Sequence, residues 1–278
     1  MREVTIQVAL DLLNSHRALA IARDSVKGDP RCWLEAGTPL IKSEGMDIVR
    51  KLKQSFPRNI IVADMKTMDT GALETEMAAK AGADIVCILG ASDNATIQDA
   101  LKSARKYGTK IMVDLIGVSD KVRRAKQMEK LGVDYLCLHI GIDEQMIGKK
   151  PFSILNSVIK STNLPVAVAG GLNTETVAEA VKTGASIIIV GGAITKAKDV
   201  TKAAKQIKKA ANEKKAIPTE LHKKYDKTQL RDAFMKVSTP NISDAMHKKG
   251  AMHGIRPARL GFHMIGKALT VCTIDGDW

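Results

Sequence analysis

Apolar and polar positions follow two periods along this chain. Short apolar runs rich in Val and Ile fall at residues 4–11, 32–35, 60–64, 85–89, 110–115, 135–139, 166–169 and 187–190. Such runs read as strands buried on both faces, as in a parallel sheet. Between them lie longer stretches with apolar residues every three or four positions. These predict helices at 15–26, 43–55, 71–81, 95–106, 119–131, 151–161, 174–183 and 199–212, the first capped by Ser15. Three helix-to-strand junctions share one form: Lys80-Ala-Gly82-Ala-Asp84, Lys130-Leu-Gly132-Val-Asp134 and Lys182-Thr-Gly184-Ala-Ser186. In each, a glycine ends the helix and a strand follows at once. Eight strands alternating with eight helices predict a closed (β/α)8 TIM barrel over residues 1–212. An open dinucleotide-binding sheet would carry GxGxxG after its first strand, and Asp11-Leu-Leu-Asn-Ser is unlike it.

Beyond residue 212 the pattern changes. Residues 213–226 turn to Lys, Glu, Pro and His and read as a linker. Residues 227–278 predict two helical pieces broken at Pro240, with Ser238 or Asn241 capping the second. A loop at His253-Gly-Ile-Arg-Pro257 and one strand at 268–274 follow. So few elements bury little surface. The expectation is a short, incomplete α/β segment, docked on something or truncated.

The strand ends carry the candidate chemistry. In a (β/α)8 barrel the C-terminal ends of the strands build the active site. Here those ends supply Asp11, Glu35, Asp64, Lys66, Asp69, Asp114 and His139. Asp64 and Lys66 are two apart, so on an extended backbone they point the same way. Glu35 and Asp64, on neighbouring strands, suit a hard divalent cation such as Mg²⁺, which would polarise a carbonyl and a neighbouring hydroxyl and so stabilise an enediolate. Lys66 adds positive charge where oxyanion character develops, and His139 carries protons near neutral pH. Strands seven and eight end in Gly170-Gly171 and Gly191-Gly192. Glycine pairs there let backbone N–H groups approach a phosphate, and a helix beginning at 173–176 adds its dipole. Each residue also has a plain structural account. Acids at strand ends can be ordinary solvated charges, Asp114 can simply cap the next helix, a single histidine is often structural, and glycines turn chains. Convergence on one rim is what structure alone does not require.

Composition narrows the partners. Net charge is +13, much of it on helix faces such as Lys202-Ala-Ala-Lys205-Gln-Ile-Lys208-Lys209. Aromatics are 3% of residues. With so few stacking groups, a basic surface favouring phosphorylated substrates fits better than a nucleic-acid binder. The core is left to Ile, Val, Leu, Ala and Met. Cys32, Cys87, Cys137 and Cys272 show no CxxC spacing, and three lie in apolar runs, which fits buried thiols in a reducing cytoplasm and neither disulfides nor a zinc site. No apolar run approaches the roughly 18 residues of a membrane span, and the N-terminus reads as a strand rather than a signal peptide, so a cytoplasmic location is expected.

Asp64-Met-Lys66-Thr-Met-Asp69 matches the D-x-K-x-x-D signature of the orotidine 5′-monophosphate decarboxylase suprafamily. Within it, residues 1–210 resemble the 3-hexulose-6-phosphate synthase family. The resemblance is carried by Ala9-Leu-Asp11, Leu34-Glu35-Ala-Gly-Thr-Pro-Leu40, Val62-Ala-Asp64-Met-Lys66-Thr-Met-Asp69-Thr-Gly71, His139-Ile-Gly-Ile-Asp143-Glu-Gln145, Val168-Ala-Gly-Gly171 and Val190-Gly-Gly-Ala-Ile-Thr195. It implies a reversible Mg²⁺-dependent aldol reaction of formaldehyde with D-ribulose 5-phosphate, giving D-arabino-hex-3-ulose 6-phosphate. It implies that Glu35 and Asp64 hold the metal, that Lys66 meets the enediolate oxygens, and that Asp11 positions Lys66 or substrate. It also implies a homodimer in which Asp69 reaches the partner's site. His139 is assigned to the C1 proton.

Two alternatives stand beside this reading. The related 3-keto-L-gulonate 6-phosphate decarboxylases share the pattern but carry arginines where this chain has Ile142 and Gly192, which favours the synthase. A basic nucleic-acid or protein binding module would not need Glu35, Asp64, Lys66 and His139 together. The tail resembles the start of the family of the ribonuclease-activity regulator and 4-hydroxy-4-methyl-2-oxoglutarate aldolase. The matching stretches are Ser238-Thr-Pro-Asn-Ile-Ser-Asp-Ala245, Gly254-Ile-Arg-Pro257, Gly266-Lys-Ala-Leu-Thr-Val271 and Gly276-Asp-Trp278. That family's later glycine-rich loop and Arg-Asp pair are absent, so no independent catalysis is expected from the tail.

Overall fold

Eight parallel strands, each hydrogen-bonded to the next in sequence order and the last to the first, close a barrel. The structure is a computed structural model that describes residues 4–139, 152–219, 230–235 and 237. The strands are β1 Thr5–Leu10, β2 Trp33–Ala36, β3 Ile61–Thr67, β4 Ile85–Leu89, β5 Lys110–Asp114, β6 Tyr135–His139, β7 Val166–Ala169 and β8 Ile187–Val190. The helices are α1 Ser15–Gly28, α2 Thr38–Glu44, α3 Asp47–Ser55, α4 Gly71–Lys80, α5 Asn94–Tyr107, α6 Lys121–Leu131, α7 Phe152–Ser161, α8 Val177–Thr183, α9 Gly192–Thr195 and α10 Val200–Glu213. The (β/α)8 barrel expected from the apolar pattern is therefore the fold.

Both faces of the strands are buried, which is why their sequences run apolar without alternation. Outward side chains such as Leu34, Ile61, Val86 and Ile111 pack under the helices. Inward side chains, two apart on each strand, fill the interior: Ala9, Val62, Met112 and Ala167 from odd strands, Ile85, Cys87, Cys137 and Ile189 from even ones. The floor carries Trp33 edge-on to Tyr135, their ring centres 5.6 Å apart. The interior is thus a packed core, and its charged groups are gathered at the upper rim.

Local differences from the sequence expectation have identifiable causes. The helix expected at 43–55 is two helices, because Gly45 adopts φ 66° and breaks the run after α2. Asn14, not Ser15, caps α1, its side chain accepting the Arg17 N–H. Helix α9 is a four-residue turn that the glycine pair concealed. Two of the three repeated junctions, those that end in an acid, have a second purpose. Asp84 accepts the Ile61 N–H and Asp134 the Ile111 N–H, so the acid after the glycine ties each strand to the one before it.

The contacts divide the chain into two units, Met1–His222 and Lys223–Trp278. Of the second, the described part is a short helix, α11 Leu230–Met235, closed by Val237 N–H on the Phe234 carbonyl. The other elements expected after it, and residues 140–151 with Ile142, lie outside the described residues.

Candidate active site

The centre of the rim is a break in β3. Its ladder with β4 pairs Asp64 with Cys87 and then Thr67 with Ile88, so Met65 and Lys66 bulge out of the pairing. Lys66 has φ 48°, a left-handed conformation that costs a side-chain-bearing residue about 1–2 kcal/mol. Asp64 and Lys66 are therefore not successive same-face positions of an extended strand, as their spacing predicts. The two side chains do meet, but through a strained bulge rather than an extended strand. Bulges of this kind re-aim side chains next to active sites.

Lys66 Nζ lies 2.7 Å from Asp64 Oδ2 and 3.4 Å from Asp114 Oδ2. Thr38, at the start of α2, places its hydroxyl 2.8 Å from Asp64 Oδ2 and 2.9 Å from the Asp64 carbonyl oxygen. Asp114, ending β5, accepts the Ile116 N–H at 2.9 Å through Oδ1, while its Oδ2 lies 3.1 Å from His139 Nδ1. Asp114 is therefore not a helix cap, a task that Asp120 performs for α6. It links Lys66 to His139. Its signal in the sequence is its parity: it faces inward from β5 as Asp64 does from β3.

Glu35, on β2, is buried, and Gln7 Nε2 donates to its Oε2 at 2.6 Å. Asp11, just past β1, is exposed at the mouth. A Cβ on Gly37 would lie 2.2 Å from Asp11 Oδ1, and one on Gly191 would lie 3.6 Å from Oδ2. Glycine at 37 is thus required for Asp11 to lean over the rim. Asp69 does not join this cluster. It is exposed, and its Oδ1 accepts the Thr70 N–H at 2.7 Å.

On the far side, Gly170 and Gly171 have φ 107° and 63°, and Gly191 and Gly192 open α9 at the end of β8. The helix dipole expected behind Gly171 is weaker than the sequence implied. Helix α8 starts at Val177, and Asn173 Oδ1 already accepts the Glu175 and Thr176 N–H groups. The glycine backbone itself remains the candidate anion cradle.

The electrostatics set the two sides of the rim apart. Burial raises the Glu35 carboxyl well above its ordinary range, and Asp64 and Asp11 add to the rise. Desolvation within the rim, then Asp64, also raises Asp11 against the pull of Lys66 and His139. Burial pushes on Asp114 too, but His139 and Lys66 outweigh it and hold that acid below its ordinary value. Burial disfavours the Lys66 ammonium, yet Asp64 and Asp114 more than offset this and keep it charged. Around Glu35, Asp64 and Asp11, negative charge exceeds what Lys66 neutralises. Among the described residues no group of three or more His, Cys, Asp or Glu is spaced to hold a metal. Two carboxylate oxygen donors with water completing the shell are nonetheless how Mg²⁺ is commonly held, so Glu35 and Asp64 fit such an ion. The thiols below take no part. Burial raises Cys87 and Cys137 well above their ordinary range and pushes Cys32 up to about 12.

A closed (β/α)8 barrel with buried carboxylates, a strained lysine and a carboxylate-held histidine on its C-terminal rim defines the class as a barrel enzyme. The match to known families is specific: residues 5–207 match the orotidine 5′-phosphate decarboxylase / HUMPS family, and the chain belongs to it. Among relatives, the 3-hexulose-6-phosphate synthase of Bacillus subtilis (strain 168) is 41% identical over 201 residues, covering 72% of this chain and 94% of that protein. The synthase of Methylomonas aminofaciens is 43% identical over 200 residues, covering 71% and 94%. Among solved structures, a 3-hexulose-6-phosphate synthase from Salmonella typhimurium is 34% identical with TM-score 0.72, covering 76% of this chain and 100% of that one. A 3-keto-L-gulonate-6-phosphate decarboxylase from Vibrio cholerae is 27% identical with TM-score 0.68, covering 78% and 100%. The resemblance seen in the motifs is thus borne out over the barrel.

Proposed function

We propose that the chain is an aldehyde-lyase that joins formaldehyde to D-ribulose 5-phosphate, reversibly, to give D-arabino-hex-3-ulose 6-phosphate. The observation that carries this is the connected chain Asp64–Lys66–Asp114–His139 on a barrel about 41% identical to named synthases. Aldol chemistry at C1 needs a proton taken from carbon and negative charge held on two adjacent oxygens. Asp114 accepts from His139 Nδ1, which sets the tautomer and leaves Nε2 free to take the C1 proton. Lys66, kept charged by its two carboxylates, stands where the oxygens gain charge. Asp11 orients Lys66 and substrate at the mouth, and N–H groups at Gly170, Gly171, Gly191 and Gly192 receive the phosphate. Glu35 and Asp64 would hold Mg²⁺. Such an ion would supply Lewis acidity, favouring the enediolate over the neutral sugar.

The active unit in this reading is a homodimer in the cytoplasm. Support for the dimer comes from Met68, Leu73 and Met77, exposed apolar side chains on the loop and helix beside Asp69. Asp69, apart from its own cluster, is then free to complete the partner's. No helix among the described residues is long and apolar enough to cross a membrane. A decarboxylase on the same scaffold is the second reading, supported by the 27% identical neighbour and opposed by Gly192, where the resemblance to that family implies an arginine.

The test is consumption of formaldehyde with D-ribulose 5-phosphate, with and without Mg²⁺, by wild type and Asp64→Ala. Metal-dependent consumption that vanishes in the variant is expected. Absence of consumption, with CO₂ released from 3-keto-L-gulonate 6-phosphate, would move the protein to the decarboxylase reading.

A further inference from the structure

Beneath the charged rim, the barrel interior holds one long amide among Ala, Val, Ile, Met and Cys side chains. Gln7 faces inward from β1 and is wholly buried. Its register partner on β2 is Trp33, and the next inward residue, Ala9, pairs with Glu35. The small side chain of Ala9 leaves room for Gln7 to reach Glu35, and its Nε2 donates to Glu35 Oε2 at 2.6 Å. At the other end of the amide, Oε1 is buried with no hydrogen-bond partner among the described residues.

This pairing is poor as a fold device. An unpaired buried amide oxygen is costly, and an apolar side chain of the same length would fill the space without it. Turning the amide over would set its oxygen against a carboxylate oxygen, two acceptors face to face. The orientation is therefore dictated by Glu35, and the amide in turn fixes one oxygen of Glu35. Glu35 also feels the negative charge of Asp64, which adds to the rise that burial of its carboxyl begins.

We propose that Gln7 is a positioning residue for cation binding: its amide holds Glu35 Oε2 from below and leaves Oε1 as the oxygen presented to a divalent cation shared with Asp64. The proposal rests on Glu35 and Asp64 being the cation-binding pair. Partners that orient ligating carboxylates typically change metal affinity about 10–100-fold when removed.

The experiment titrates the purified full chain with Mn²⁺, a paramagnetic stand-in for Mg²⁺, following free Mn²⁺ by electron paramagnetic resonance without substrate. Thermal melts in EDTA run in parallel. Gln7→Met keeps length and burial and removes donor and orphan acceptor together. It is expected to bind Mn²⁺ about 10–100-fold more weakly while the metal-free protein melts no lower than wild type. Gln7→Asn, one methylene short of Glu35, is expected to lose a similar factor, and it decides the matter if Gln7→Met does not fold. Recovery of kcat at saturating metal would place the defect in binding. Unchanged Mn²⁺ affinity in a folded variant overturns the role of Gln7 while leaving the metal pair intact. Failure of wild type to bind Mn²⁺ overturns both. Gln7-dependent binding by a chain that consumes no formaldehyde upholds Gln7 and sinks the aldol reaction alone.

Discussion

The two ends of the barrel use the same residue types in opposite ways. At the N-terminal end, Asp84 accepts the Ile61 N–H at 2.8 Å and meets Lys53 Nζ at 2.8 Å, both side chains about 30% exposed. Asp134 likewise holds Ile111. Each acid has its own partners and water within reach, so each stabilises the strand junction it serves. At the C-terminal end, Glu35, Asp64 and Asp114 are each under 10% exposed, and Asp64 and Asp114 share the single ammonium of Lys66. Like charges are held together there, with a lysine in a left-handed bulge to reach them. The first arrangement is what a fold needs. The second opposes folding and is retained where chemistry requires it.

The largest effect should come from Lys66, which joins the two buried acids. Lys66→Ala is expected to lower kcat for formaldehyde condensation on the order of 10³-fold, as removal of a preorganised positive group at a developing oxyanion does. Circular dichroism checks that the barrel remains. A variant with near-normal kcat would break the contrast between the ends at its centre.

Asp114→Asn comes next. The amide keeps an oxygen for Ile116 N–H but loses the charge that selects the His139 tautomer and half of what holds Lys66. A kcat loss of about 10²-fold is expected, the lower part of what general acid–base catalysis contributes. KM for the sugar phosphate should move little, since the glycine side of the rim is untouched. Exchange of the C1 proton followed by NMR should fall with kcat, and His139→Ala should abolish that exchange.

Glu35→Gln sharpens the comparison with an effect of opposite sign. The folded protein holds the Glu35 proton more tightly than the unfolded chain, because burial and then Asp64 and Asp11 raise its pKa. Stability of the metal-free protein therefore falls as pH rises from the ordinary value of 4.5 through the folded pKa, and stays lower above it. Replacing the acid removes that penalty. In EDTA at pH 7 the variant should melt about 2–4 °C higher for each kcal/mol relieved, with the gain vanishing below about pH 4. The same variant should fail to bind Mn²⁺. A variant that melts lower at every pH would show that Glu35 supports the fold.

How legible was this contrast in the sequence? The strands were, because runs such as Ile187–Val190 are apolar throughout and bounded by glycine. The rim acids were, because each ends such a run. What escaped depends on register. The bulge at Met65 and Lys66 arises only when β3 is laid against β4. The meeting of Asp114 with Lys66 and His139 spans 48 and 25 residues of chain, and that of Gln7 with Glu35 spans 28. Such partners are chosen by barrel closure, not by local propensity. Gly45 and α9 escaped for a nearer reason, since one glycine inside a helical pattern and two at a strand end read equally as turns.

The smallest effect belongs at the opposite end. Asp84→Asn leaves an oxygen to accept the Ile61 N–H and removes the charge facing Lys53. A partly exposed ion pair contributes up to about 1 kcal/mol, equivalent to a melting shift of about 2–4 °C in a domain of this size. The melt should fall by no more than that, while kcat and KM stay at wild-type values, because this acid touches neither β3 beyond its first residue nor any group of the rim. If kcat instead fell as far as in Asp114→Asn, strand placement at the floor would govern the geometry of the bulge. The two ends would then have to be treated as one coupled network rather than as a scaffold and a site.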